Sequence, residues 1–169
     1  MNQATDYFLS LCKRKTNQSQ IWGFRGDYFF LSNFYPAKTF RYPTLEHAFV
    51  AAKTVSPTER DYILQLKTPS EAKKYSRTLT LRPNWEQIKL EVMETLLKEK
   101  FKDPGLRARL LATNDAELVE GNLWHDNYWG DCGCRKCLGI PGQNHLGNLL
   151  MKVREEMEKE SCGTKPLTV

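Results

Sequence analysis

The sequence predicts an α+β domain, predominantly helical, with a small β-sheet. Three observations lead there. Residues 84–101 place Trp85, Ile88, Val92, Leu96 and Phe101 close to a 3.6-residue period, the signature of an amphipathic helix. Residues 143–159 do the same with Leu146, Leu149, Leu150, Val153 and Met157. Short aromatic or β-branched runs, by contrast, are few and interrupted by turn residues.

Taken in order, residues 3–13 predict a short helix with Tyr7, Phe8 and Leu11 on one side. Tyr28-Phe29-Phe30-Leu31 reads as a strand broken by Ser32-Asn33, and residues 37–42 as a second. Thr44, with Pro43 before it, is placed to cap an apolar-faced helix over residues 45–54. Residues 58–67 form the next helix, and Ser70 is placed to cap another over 71–76. Asp103-Pro104-Gly105 ends the long helix, a further helix covers 106–112, and 117–120 is a short strand. The stretch 124–142 is a loop rich in aromatics, Cys and Gly. The expected organisation is an N-terminal helical extension (1–20), one catalytic domain (21–160) and a disordered tail (161–169).

A length of 169 residues suits one domain with a proper core. The net charge of +5 fits either a nucleic-acid-contacting face or a small phosphorylated substrate. The N-terminus lacks the basic start and apolar core of a signal peptide, and no apolar run reaches the ~20 residues of a membrane span. Five cysteines, three crowded at Cys132, Cys134 and Cys137, do not form a disulfide framework. The expectation is a cytoplasmic protein without membrane partners.

Three segments carry chemistry. On the helix after Thr44, Glu46, Phe49 or Val50, and Lys53 share a face. They read either as a surface acid and lysine flanking a core stripe or as a desolvated pair lining a cleft. His47 points off that face and reads as structural. In the second segment, Glu120 and Asp126 lie among Trp124, Tyr128 and Trp129. An acid in such surroundings suits a flat aromatic substrate beside a carboxylate with a raised pKa; a core-packing Trp pair is the plain alternative. In the third, Gly139-Ile140-Pro141-Gly142-Gln143-Asn144 leads into the last helix, where free N–H groups would seat a phosphate.

In order, these segments resemble the NADAR (YbiA-like) family. The resemblance rests on Phe30-Leu31-Ser32-Asn33-Phe34-Tyr35-Pro36, on Thr44-Leu45-Glu46-His47-Ala48-Phe49 closing on Lys53, and on Lys100-Phe101. Leu118-Val119-Glu120, Trp129-Gly130 and Gly142-Gln143-Asn144-His145-Leu146-Gly147 complete it, so that it spans about residues 21–157. It implies an N-glycosidase that hydrolyses the bond between a base nitrogen and the anomeric carbon of a phosphorylated ribose. The family's substrates are early phosphorylated riboflavin-pathway intermediates and ADP-ribose on modified guanine. The latter would set the chain, antitoxin-like, against a DNA ADP-ribosyltransferase.

By matched position Glu46 and Lys53 are catalytic. Asn33, Trp85, Trp124 and Asp126 line the pocket with Trp129, and Gly142 and Asn144 lie at the phosphate end. Arg25, beside Gly23 and Gly26, reads as a phosphate partner or as a surface arginine. Two routes fit. In one, Glu46 stabilises an oxocarbenium-like transition state or activates water while Asp126 protonates the leaving base. In the other, Lys53 attacks the anomeric carbon and opens the ribose as an imine, with Glu46 moving protons.

Neither route requires a cofactor. The run Asp131-Cys132-Gly133-Cys134-Arg135-Lys136-Cys137 departs from the family pattern, and its cysteines read either as a metal-free reduced loop or, with His125 or His145, as a structural zinc site. Two other classes stay open: a non-catalytic ADP-ribose or nucleotide reader, and a zinc-dependent nucleic-acid-binding protein.

Overall fold

A computed structural model describes residues 20–163. The expected N-terminal helix and nearly all of the tail lie outside the described residues. In chain order the elements are β1 (Gln20–Trp22), a 3-10 turn (Gly26–Leu31), α1 (Leu45–Ala52), α2 (Pro57–Gln65), α3 (Pro69–Tyr75) and α4 (Trp85–Lys100). They continue with α5 (Pro104–Leu111), β2 (Glu117–Val119), β3 (Gly121–Asn122), β4 (Asp131–Cys132) and α6 (His145–Gly163). The architecture is a small, mainly helical α+β domain.

The helices lie within a few residues of where the sequence puts them, and the caps explain their starts. Thr44 accepts from the His47 N–H. Ahead of α3 the cap is Thr68 rather than Ser70: Thr68 and Glu71 form a reciprocal capping box, with Pro69 in the first turn. The last helix extends to Gly163, three residues into the expected tail.

The strand expected at 117–120 is present as β2, but the two expected earlier in the chain are not. Residues 28–31 belong to the 3-10 turn. Adjacent Phe30 and Leu31 are both buried, which a strand with one exposed face cannot achieve. Residues 37–42 form turns closed by a single bridge between Pro36 and Thr44. The actual pairs are parallel and remote in sequence, β1 with β2 and β3 with β4.

The main core lies between α1, α4, α6 and β2, with Phe49, Met93, Leu97, Phe101, Leu118, Leu150 and Val153 buried together. A second cluster of Val50, Ala51, Ile63, Ala72 and Leu79 lies beneath α1, α2 and α3. Helix α1 is therefore covered on nearly every side, and Leu45 through Ala51 are all buried. That placement drags the polar residues of the first turn inside. His47 is accommodated by pairing its ring with Thr44 Oγ1 at 2.8 Å and Leu66 O at 3.2 Å, the structural role expected of it. Glu46 faces the other way, into the site. No helix among the described residues is long and apolar enough to cross a membrane.

Candidate active site

Glu46 and Lys53 stand at opposite ends of α1 and line one cavity of about 240 Å³. The Ser32–Asn33 turn forms one wall, α3 contributes Lys73, and the 120s loop contributes Glu120, Trp124, Asp126 and Trp129. Met93 and Leu146 supply apolar surface from α4 and α6. The turn is pinned from behind: buried Lys100 donates to Ser32 O at 2.8 Å, and Asn33 O accepts from Glu46 N at 3.0 Å. Burial holds the Lys100 amine down to about 7.

Burial acts on Glu46 and Lys53 in opposite directions. Desolvation raises the Glu46 carboxyl against the pull of Lys73, Lys53 and the Asn33 side chain. It lowers the Lys53 amine against the pull of Glu46. The charged and the neutral forms of both groups are thereby drawn closer in energy. Lys53 Nζ makes a long bond of 3.4 Å to Ser76 Oγ, which leaves its lone pair accessible in the neutral state.

Glu120, which the sequence places beside Asp126 without a role of its own, is the second acid of the cavity. It follows β2, and its carboxyl is raised to about 7 by desolvation first, and then by the neighbouring Asp126. Its Oε2 is buried without a hydrogen-bond partner, as is Asn33 Oδ1 on the opposite wall. Such orphaned atoms are costly unless a ligand completes them. Its presence in the Leu118-Val119-Glu120 motif was the available signal. Asp126, the donor expected from sequence, uses Oδ1 to accept from Tyr128 N (3.2 Å) and Trp129 N (2.9 Å). That oxygen shapes the loop, and Glu120 is the acid of the cavity that burial holds toward its protonated form.

Six of the expected residues thus meet at the cavity: Asn33, Glu46, Lys53, Trp124, Asp126 and Trp129. Four do not line it. Trp85 is buried behind the wall, with its ring 5.1 Å from that of Phe49. Arg25 is exposed and reaches the site as a field that lowers Glu120. Gly142 is a close-approach residue, since a Cβ there would stand 2.3 Å from Gly130 O.

Asn144 spends both amide atoms as a brace. Its Oδ1 accepts from Glu120 N at 3.0 Å and its Nδ2 donates to Leu118 O at 2.9 Å. The phosphate seat expected here is already filled by the protein. The N–H groups of Gln143, Asn144, His145 and Leu146 donate to the carbonyls of Asn127, Gly130, Tyr128 and Trp129. The cations that do face the cavity are Lys73 and Arg77, neither of them anticipated.

Cys132, Cys134 and Cys137 converge with His125, whose ring nitrogen Nδ1 is 3.2 Å from Cys134 Sγ and 3.3 Å from Cys137 Sγ. His145 is elsewhere, paired with Gln143 and stacked near Tyr128.

Comparison with known proteins identifies the family and the fold. The family model for the NADAR domain matches residues 15–158. N-glycosidase YbiA of Escherichia coli (strain K12) is 42% identical over 122 residues, covering 70% of this chain and 72% of that protein. A riboflavin biosynthesis protein of Vibrio vulnificus, VVA0006, is 34% identical over 139 residues, covering 78% of this chain and 36% of that protein. The NMR structure of E. coli YbiA superimposes with a TM-score of 0.76 and 35% identity, covering 92% of this chain and 94% of the other. The chain belongs to the NADAR domain family.

Proposed function

We propose that this chain is an N-glycosidase that hydrolyses the bond between a base nitrogen and the anomeric carbon of a phosphorylated ribose. The observation that carries it is the enclosure of Glu46, Lys53 and Glu120 in one cavity, each displaced by burial toward its neutral form. The N-glycosidase name borne by the E. coli relative supports the same reading. At about 240 Å³ the cavity is smaller than a typical drug-sized pocket, so it suits the ribose and the bond to be cut. The phosphate end then projects toward Lys73 and Arg77, and half-exposed Trp124 offers a stacking face at the rim, 5.9 Å from Lys73 Nζ.

In the neutral form of the Glu46–Lys53 pair, Nζ carries the lone pair that bonds to the anomeric carbon. As the bond to the base breaks, its electron pair stays on the base nitrogen, which takes a proton from Glu120. Glu46 gives its proton to the ring oxygen and takes one from Nζ, opening the ribose to an imine. Water adds to the imine carbon, its second proton returning to Glu120. The new hydroxyl then passes its proton to Nζ as the carbon–nitrogen bond breaks. One water is consumed, and free base and phosphorylated ribose are released without a cofactor.

Two substrate families share that half-molecule: early phosphorylated riboflavin intermediates, favoured by the name of the Vibrio relative, and ADP-ribosylated guanine in nucleic acid. Base release from both decides between them, with Glu46→Ala as control. Turnover of the first makes the chain a disposal enzyme for reactive metabolites; turnover of the second makes it the counterpart of a DNA ADP-ribosyltransferase. No release from either while ADP-ribose still binds sinks the hydrolase reading and leaves a reader module.

Glu120 gives the reaction its pH dependence. As the donor it must be protonated, so kcat/KM is expected to fall as pH rises through about 7. Glu120→Gln should lower kcat and abolish that limb. The raised value also makes folding less favourable as pH climbs from 4.5 toward about 7, because the unfolded chain ionises this group first. Glu120→Gln should therefore melt relatively higher at neutral pH than at pH 4.5, where its advantage disappears.

A further inference from the structure

The 120s loop places Trp124 and Asp126 at the cavity, yet little apolar burial holds it. Leu123 and Trp124 are 57% and 54% exposed, and the only pairing in this region is the two-residue β3–β4 ladder. Hydrogen bonds from Asp126 Oδ1 and from the start of α6 hold residues 127–130, and the exposed stretch at 123–125 calls for a tie of its own. Next to Asp126, the imidazole of His125 and the sulfurs of Cys132, Cys134 and Cys137 bring one donor atom each to within 4.8 Å of one another. Tetrahedral zinc, with Zn–S about 2.3 Å and Zn–N about 2.0–2.1 Å, sets neighbouring donors about 3.5–3.8 Å apart. The His125 Nδ1 distances of 3.2 and 3.3 Å to Cys134 and Cys137 are a small relaxation from that geometry.

Two further features are those of a thiolate site. The backbone N–H of His125 points at Cys132 Sγ at 3.3 Å, and those of Lys136 and Cys137 point at Cys134 Sγ. N–H groups aimed at sulfur are the outer-shell contacts that orient metal-binding cysteines. His125 also holds a left-handed backbone, φ +68°, which turns its ring toward the sulfurs. A disulfide would use two sulfurs and leave the third and the imidazole without purpose. Three thiolates and a neutral imidazole around a divalent ion carry one net negative charge, and Arg135 and Lys136 stand inside the Cys134–Cys137 turn to offset it.

We propose that His125, Cys132, Cys134 and Cys137 bind one zinc ion, a closed structural site that clamps the loop carrying Trp124 and Asp126 against β4. Four protein ligands leave no open position, so the metal takes no part in bond cleavage. The clamp works with Asn122, whose Oδ1 accepts from Trp124 N and Asp126 N, and with Asn127, whose Oδ1 accepts from Cys132 N at 2.8 Å.

The test is metal analysis of full-length protein made in zinc-supplemented medium and purified under reductant, where about one zinc per chain is expected. Three more thiols should react after a chelator is added than before, and the same chelator should lower the melting midpoint and open the loop to protease. Replacing zinc by Co(II) should give thiolate-to-metal charge transfer and the strong d–d bands of a tetrahedral site.

His125→Asn keeps a residue that tolerates the left-handed backbone but removes the ligand, and Cys134→Ser is the conservative loss of a thiolate. Since outer-shell changes alone cost about 10–100-fold in affinity, each should weaken zinc binding by more than about 100-fold. Cys12→Ser should not alter it. Wild-type protein without stoichiometric zinc, or with all five thiols equally reactive before the chelator, overturns the proposal whether or not the variants fold. Variants that fold and bind zinc like wild type overturn the ligand set.

Discussion

Lys53→Met is expected to reduce base release by about 10³-fold or more while the protein stays folded. The side chain can be changed without disturbing the backbone, because Lys53 N donates to Val50 O and Lys53 O accepts from Arg82 N whatever the side chain is. Methionine keeps the apolar stem against the Phe49 ring and removes only the amine and its long bond to Ser76. Glu46 then loses a neighbouring cation that had been lowering its pKa, so its carboxyl moves further toward the neutral form. Because the two residues act as a unit, Glu46→Gln combined with Lys53→Met should be little worse than the more damaging single change. Borohydride added during turnover should trap ribose on Lys53 of wild type and on nothing in the variant. If Lys53→Met keeps more than about a tenth of the activity, water rather than the amine attacks the anomeric carbon.

Gly147→Ala is the second large effect, and it acts on the frame. The first turn of α6 lies directly on β2, and a Cβ at residue 147 would stand 2.0 Å from Leu118 O and about 2.5 Å from the Asn144 amide. Neither neighbour can retreat. Leu118 is paired with Ile21 in the β1–β2 ladder, and the Asn144 amide is spent on Leu118 O and Glu120 N. The helix must therefore lift, at a cost of about 3 kcal/mol, read as a melting midpoint lower by about 6–12 °C. Activity should fall with it, since the same lift disturbs Glu120. Gly26→Ala is the matched comparison: its φ of +53° strains a Cβ, but nothing lies within 4 Å, so a loss of only about 1–2 kcal/mol is expected. A Gly147→Ala protein that melts like wild type would mean that α6 is not seated on β2 as described.

The helices were legible because their signals are local. Thr44 capping α1 and the period of Trp85, Ile88, Val92 and Leu96 in α4 are written within a few residues. Of the strands only β2 was, at residues 117–120; its partner β1 was not, because the two pair across Gln20 and Glu117 and three residues are too few to show alternation. The aromatic run at Tyr28–Leu31 misled for the same reason in reverse: its composition suits a strand, but two consecutive residues face the core. In the site, Glu46 and Lys53 were readable from helical spacing and from the family resemblance. The role of Glu120 was hidden because much of its environment is made by partners remote in sequence, among them Asn144 and Glu46. The helix-start phosphate seat failed because free N–H groups cannot be assumed when a neighbouring loop supplies carbonyls.

The long crossover between β1 and β2 also sets an order of events. The α1–α3 region and α4 can form from neighbouring sequence, but Glu120 reaches the pair on α1 only after a chain segment of some seventy residues has closed, at an entropic cost met late. Leu146, a cavity wall, belongs to the last of the described helices. A nascent or clipped chain that stops short of α6 can thus hold well-formed helices and still lack a working site, so catalytic competence reports that the chain has been made at least through α6.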